Sequence, residues 1–480
     1  MLTLLTVTIL VILLIILIQT LTFKKKGTVK CAPKSININT ERALQRFSEM
    51  VKCRTISYSD KKRIDYNEFK KLHYIIEKNY PNIQKKLKKE TIDHSVIYKW
   101  QGQDRTLKPA LLIAHLDVVP VEGGTEKDWC HEPFSGEIAD GFIWGRGTLD
   151  MKVQLFAILE VVENLLSQNF APKRDIYLAF GQDEEVGGLD GAAKIAELFK
   201  DRGLEFEYVL DEGGCVTEDI LKEVATPVAV VGVAEKGYAD VEISCQDSGG
   251  HSSMPPQNTA VGVLCKSIVK LEQKQLKTKI TSPVKEMLEN IGPEMSFTNK
   301  VIIANMWLFK PLFKSVFSKS KTGNALLRTT TASTVIQGSD ASNVLPQHAK
   351  AIINFRILPG ETSEDVVKHV INTINDNRVS VRLIKKWEPS EITTSPSNDT
   401  FEKIKLTIQK VFPEAIVTPY LVIGGTDGKK YEMISDNVYR FTPIKVEASE
   451  INRMHNTNER VSVENVKRSL RFFNELVQNS

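Results

Sequence analysis

Apolar residues recur along this chain in two rhythms, and each predicts its own kind of element. Unbroken runs at Leu111–Ala114, Ile176–Phe180 and Tyr208–Leu210 end in charged or turn-forming residues; runs of this kind are strands buried on both faces of a parallel sheet. Between them, apolar residues fall at helical spacing. Leu44, Phe47 and Met50 mark a helix over Ala43–Cys53, and Leu155, Ile158, Leu159, Val162, Leu165 and Leu166 mark one over Val153–Leu166. A third covers Gly191–Arg202 and is stopped by Gly203. Strand and helix alternate to about residue 235, the pattern of an α/β layered fold.

From about Gly237 the rhythm changes. Ala239–Ser244 alternates apolar and polar positions, as a strand with one exposed face does, and similar strands at Ala349–Leu358 and Ser380–Ile384 flank a helix at Ser363–Asp376. The stretch Lys274–Lys321 is rich in Lys, Ser and Pro and shows no clear period. After about residue 390 the α/β character returns, with a helix over Thr400–Val411. The expected architecture is a mixed, largely parallel sheet with helices on both faces, interrupted by an inserted α+β unit. The expected divisions are an N-terminal segment 1–23, a main domain built from 40–236 and 388–480, and an insertion 237–387.

Met1–Phe23 carries no charged side chain. About 20 apolar residues suffice to span a bilayer as a helix, and no small-residue cleavage site follows, which favours a signal-anchor over a removed signal. Lys24–Lys26 on its flank would hold the rest of the chain in the cytosol by the positive-inside rule, a bias that translocation of a long domain overrides. The segment is read as an address to the secretory pathway, with the remaining domain lumenal or extracellular and either anchored or released. Asn398-Asp399-Thr400 is a glycosylation sequon, meaningful only on the lumenal side.

Composition narrows the field. The chain has 480 residues, 42% of them hydrophobic, and 63 basic against 59 acidic side chains. With a formal net charge of only +4 and no basic stripe interleaved with aromatics, a nucleic-acid partner is not expected. The six cysteines form no C-x-x-C pair, so a zinc-ribbon pattern is absent.

The chemistry sits where the strands end. Ligands collect outside the carboxyl ends of parallel strands, and there the chain reads Ala114-His115-Leu116-Asp117, Asp183-Glu184-Glu185-Val186-Gly187-Gly188 and Asp211-Glu212-Gly213-Gly214. Further motifs are Gly145-Arg146-Gly147-Thr148-Leu149-Asp150-Met151-Lys152, Gly249-Gly250-His251-Ser252-Ser253-Met254-Pro255, Gly424-Gly425-Thr426-Asp427 and Met454-His455-Asn456-Thr457-Asn458-Glu459. From about residue 40 onward the set resembles the dizinc metallopeptidase family of carboxypeptidases, aminoacylases and dipeptidases. It is most similar to the carboxypeptidase S branch, which includes the N-fatty-acyl-amino-acid synthase/hydrolase.

The resemblance implies two zinc ions per subunit. It assigns His115 and Asp211 to one, Glu185 and His455 to the other, and Asp150 to a bridge between them. Asp117 would orient His115 from behind. Glu184, free beside a ligand, would be the general base that takes a proton from water and passes it to the leaving amine. On the substrate side the resemblance assigns His251 to the oxyanion, with reach toward a partner subunit's site in a homodimer. Arg356 and Asn343 would hold a free carboxylate, to which an arginine fork is well matched, and Gly424, Gly425 and Thr426 would add donors. The implied substrate is an N-acyl amino acid or a short peptide, cleaved or condensed at the amide beside that carboxylate.

The chain departs from the family pattern in two places: Gly428-Lys429 follows Asp427 where a small residue and an arginine are usual, and Asn456 stands where glycine is usual. His73, His94, His131, His348 and His369 match no ligand motif. Two other readings fit the same sequence: a tethered binding protein that has lost the chemistry, which usually lacks a ligand, and an aminopeptidase, which needs a pocket for an amine where Arg356 offers a cation.

Overall fold

The computed structural model describes residues 1–25, 27, 33–218, 224–391 and 398–480; Lys26 and Cys31 lie outside them. A mixed sheet of mostly parallel strands forms the body of the protein. At its centre, Ala110–His115 lies between Ile176–Gly181 and Tyr208–Asp211 and runs parallel to both. All three are buried along their length, as their unbroken apolar character requires. Their register sets His115 beside Gly181, and Leu112 beside both Leu178 and Leu210, so the residues that follow each strand emerge at one edge.

Helices cover both faces. The helix Lys152–Ser167, buried on nearly every side, is sandwiched between the sheet and the helices Thr40–Val51 and Val463–Gln478. The opposite face is covered by the helix Ala192–Asp201 and the short helical segment Asp427–Met433. Alternation within the strands separates the two layers. Leu112, Leu178 and Leu210 point into the first, and Leu111, Ile113 and Val209 into the second.

A second, four-stranded antiparallel sheet is built from Thr330–Gln337, His348–Ile357, Gly237–Gln246 and Val379–Trp387, in that order. The helices Ala260–Gln273 and Ser363–Ile374 cover one of its faces, which accounts for the alternating burial of Gly237–Gln246. The chain crosses between the sheets twice, and the crossings are tied together. Glu235 N–H donates to Ser390 Oγ at 2.6 Å, and Ser390 N–H donates to the Glu235 carbonyl at 3.0 Å. A Cβ at Gly237 would lie 2.5 Å from the Pro389 nitrogen, so only glycine lets the two crossings run this close.

Lys274–Lys321, where no period was evident, is largely helical: Ser282–Ile291, Phe297–Ala304 and Met306–Phe317 follow one another. Their apolar residues divide between a buried face and a solvent-facing one, and two apolar faces blur the single stripe that sequence periodicity detects.

Candidate metal centre

The outer end of the central strands brings together residues from five separate stretches of sequence. His115 ends its strand, 1% exposed, and its Nδ1 faces the Asp117 carbonyl at 2.9 Å and the Asp117 carboxylate at 3.3 Å. Its Nε2 is thereby turned outward, 3.1 Å from Asp150 Oδ1 and 3.2 Å from Glu212 Oε1. Asp150 Oδ2 lies 2.9 Å from His455 Nε2, which is also 3.3 Å from Glu185 Oε2. One carboxylate therefore sits between two imidazoles, one oxygen to each. Ligand-capable atoms of His115, Glu184 and Glu212 lie within 4.8 Å of one another, and so do those of His115, Asp150 and Glu185.

Asp117 holds this arrangement from beneath. Fully buried, it accepts the Ser57 hydroxyl at 2.5 Å and the backbone N–H groups of Glu184 and Glu185 at 3.1 and 3.2 Å. One carboxylate thus fixes both the histidine and the turn bearing the two glutamates. Asp183 serves the loop behind Glu184 and closes it by accepting the N–H groups of Asp190 and Gly191 at 2.8 Å each. The His455 loop is anchored through Glu459, which is fully buried, pairs with Arg146 Nη1 at 2.5 Å and accepts the Leu149 N–H at 2.9 Å. His455 and Asn458 take positive φ, whereas Asn456 does not, so the loop has no need of the glycine usual at that position.

Asp211, which the resemblance assigns to a metal, lies behind the cluster, and its neighbour Glu212 reaches His115 instead. Asp211 continues the alternation of its strand toward the layer of Val209, where its Oδ2 accepts the Gly428 N–H at 2.6 Å. Glu212 follows the parity of Leu210 and turns to His115. Asp211 therefore supports the Asp427–Met433 segment, and Glu212 is the acid in the cluster. Strand parity is the signal that distinguishes them.

Acidic groups crowd the cluster. Asp150, Glu184, Glu185 and Glu212 converge on two imidazoles. Burial, with Glu212 and Asp427 nearby, pushes the Glu184 carboxyl well above its ordinary range. Burial and Asp150 push Glu185 up to about 7. Burial opposes a charge on His115, yet Glu212, Asp117 and Asp150 hold its imidazole well above the usual histidine range. Among the described residues Glu185 Oε1 is buried and has no hydrogen-bond partner. A lone pair left so, amid further carboxylates and two imidazoles, matches the nitrogen and oxygen donor set of a catalytic zinc site.

The substrate-side residues divide into two groups. His251 and Asn343 come together on adjoining loops of the second unit, where Ser252 N–H donates to the Asn343 carbonyl at 3.1 Å. His251 Nδ1 accepts the Ser253 N–H at 3.1 Å, which leaves Nε2 as the exposed donor. Both line an open groove of about 650 Å³ whose walls include none of the cluster residues. Arg356 lies elsewhere in that unit, its guanidinium 5.0 Å from the Tyr238 ring centroid, and Tyr238 stacks on Trp387 at 4.3 Å. Trp387 in turn borders Gly425. Thr426, expected to face substrate, instead commits its N–H and its hydroxyl to Glu235, at 2.8 Å each. Gly424 and Gly425 are exposed beside it. Tyr238 and Trp387, which link Arg356 to this loop, carried no sequence motif.

The chain belongs to peptidase family M20/M25/M40, whose profile matches residues 111–479. It is a metallohydrolase of that family. It is 39% identical over 442 residues to probable carboxypeptidase S-like 2 of Dictyostelium discoideum, covering 91% of this chain and 84% of that protein. It is 34% identical over 437 residues to N-fatty-acyl-amino acid synthase/hydrolase PM20D1 of Xenopus tropicalis, covering 90% and 84%. Among solved structures, an M20 family metallo-carboxypeptidase, Sso-CP2 from Sulfolobus solfataricus, shares the fold with a TM-score of 0.67 at 18% identity, over 91% of this chain and 98% of that one.

Proposed function

We propose that the protein is a dizinc amidohydrolase that acts on an amide beside a free α-carboxylate, in N-acyl amino acids or at the C-terminus of short peptides. The observation that carries this reading is the Asp150 carboxylate, with one oxygen turned to His115 and the other to His455. His115 and Glu212 would hold one zinc, His455 and Glu185 the other, with Asp150 shared. Two zinc ions in such a site acidify water and polarise the substrate carbonyl.

The chain's own residues supply the rest. Glu184, held in place by Asp117 through its backbone N–H, accepts the proton of the attacking water and delivers it to the leaving nitrogen. Run backward, the same transfers join a fatty acid to the amine of an amino acid and release the carboxyl oxygen as water. Arg356, with the exposed backbone at Gly424 and Gly425, receives the substrate carboxylate. Trp387 and Tyr238 hold the two parts of this pocket together. The groove at His251 and Asn343 would bring an imidazole to the partner's site in a homodimer, with the second unit serving as lid and dimer surface.

The relatives support the substrate class, since their names join carboxypeptidases to an N-fatty-acyl-amino acid synthase/hydrolase. The test is metal analysis with turnover. Purified protein is expected to hold two zinc equivalents and to cleave at least one of N-oleoyl-phenylalanine, N-acetyl-methionine and an N-blocked dipeptide. Zinc-loaded protein inert on all three contradicts the proposal.

A further inference from the structure

The N-terminal helix Leu2–Thr22 is long and apolar enough to cross a membrane. It does not stand clear of the protein. Its last turns pack on the corner between the helices Phe297–Ala304 and Met306–Phe317. Asn305 Nδ2 donates to Thr20 Oγ1 at 3.1 Å and approaches the Ile16 carbonyl at 3.4 Å, and Trp307 Nε1 donates to Gln19 Oε1 at 2.9 Å. Phe23 packs against Gly292. The helical corner is thereby fixed at the level of Ile16–Phe23. At 1.5 Å per residue, Ile16 lies about 9 Å inside the end of a helix that finishes at Thr22.

The corner is built for that depth. Leu308, Leu312 and Val316 form an exposed stripe at i, i+4, i+8 along the second helix, beside Trp307. Trp307 and Val316 are each 56% exposed, and Phe297 on the preceding helix is 65% exposed, values unusual for large apolar side chains facing water. Lys310, Lys319 and Lys321 are exposed around the stripe, and the sequence has no acidic residue between Glu294 and Asp340. An apolar face flanked by lysines, with an interfacial tryptophan, is how a helix lies in a bilayer surface, sunk about 5–10 Å into the headgroup–acyl boundary.

We propose that Phe297–Ala304 and Met306–Phe317 form a second membrane contact. Phe297, Trp307, Leu308, Leu312 and Val316 enter the phospholipid leaflet at the exit of the N-terminal helix, and the lysines meet lipid phosphates. This contact orients the enzyme on the bilayer, which a single helix joined through a polar stretch does not do. The inference rests on the N-terminal helix residing in the bilayer, independently of the substrate assignment.

The test uses the full chain reconstituted in phosphatidylcholine vesicles containing phosphatidylglycerol, with acyl chains brominated close to the headgroup. Flotation reads anchoring. The difference between wild-type and Trp307→Phe emission isolates Trp307 from the other tryptophans. The expected difference spectrum is blue-shifted and falls about twofold on shallow bromination, and Leu312→Asp with Val316→Asp abolishes both effects. A chain that floats but shows a water-like, unquenched Trp307 overturns the proposal. A chain that does not float overturns it together with the anchor.

Discussion

Glu212 Oε1 lies 3.2 Å from His115 Nε2, spanning the ends of two neighbouring parallel strands. Its neighbour Asp211 is bound instead to the Gly428 N–H. The pair gives a sharp contrast. Glu212→Gln is expected to remove about one bound metal equivalent and most activity, because an amide is a poor ligand for zinc. Asp211→Asn is expected to leave metal content unchanged and to cost about 1–3 kcal/mol of stability through the weakened Gly428 contact. Elemental analysis with denaturant titration reads both, and metal loss in Asp211→Asn alone would reverse the assignment.

Glu184 is the proposed proton carrier, and its substitution separates chemistry from metal binding. Glu184→Gln is expected to lower kcat by about 10²–10⁴-fold, the usual range for losing a general base. Zinc content and unfolding midpoint should stay as in wild type. Activity within a few-fold of wild type would remove Glu184 from that role.

Asp117 acts through others. Asp117→Asn keeps its size but replaces one acceptor oxygen with a donor facing the Glu184 or Glu185 N–H. Loss of such a supporting contact typically lowers metal affinity about 10–100-fold. Competition with a zinc chelator measures it, and an unchanged affinity would show that the clamp is not needed.

Lys236 stands at the crossing between the two sheets, with its Nζ donating to the Ala325 and Arg328 carbonyls at 2.9 and 2.7 Å. Burial, and then Arg356 nearby, pushes its pKa down to about 7 from 10.5. The unfolded chain keeps that proton to about pH 10.4, so between those values the unfolded state binds more protons. Lys236 therefore destabilises the fold near and below neutrality, and the burden lifts as pH rises through the window, by up to about 1.4 kcal/mol per pH unit. Wild type is expected to gain stability from pH 7 to 9 relative to Lys236→Met. Urea midpoints of the two proteins at both pH values supply the comparison, and parallel pH dependences would contradict the shift.

The central strands were legible because burial on both faces writes them as unbroken apolar runs, and the acids and histidines after them were legible because such strands end at ligand sites. His115, Asp150, Glu185 and His455 come together at the same end of the sheet. Asp211 and Glu212 could not be told apart from adjacent letters alone, since the choice depends on which layer each strand face meets. Thr426 was misplaced because Glu235, its partner, lies 191 residues away and belongs to no motif. The helices within Lys274–Lys321 were missed because one apolar face is buried and another is exposed beside the N-terminal helix.

The most direct test of the proposed chemistry compares one substrate in two forms. An N-acyl-phenylalanine with a free carboxylate and its methyl ester would be offered to the zinc-loaded enzyme, with cleavage followed at the amide bond. Esterification is expected to lower kcat/KM about 100-fold or more, since it removes the charge-assisted contact with Arg356, and Arg356→Met is expected to close most of the gap by slowing only the acid. Equal amide cleavage of the two forms would contradict the claim that the enzyme recognises a free carboxylate.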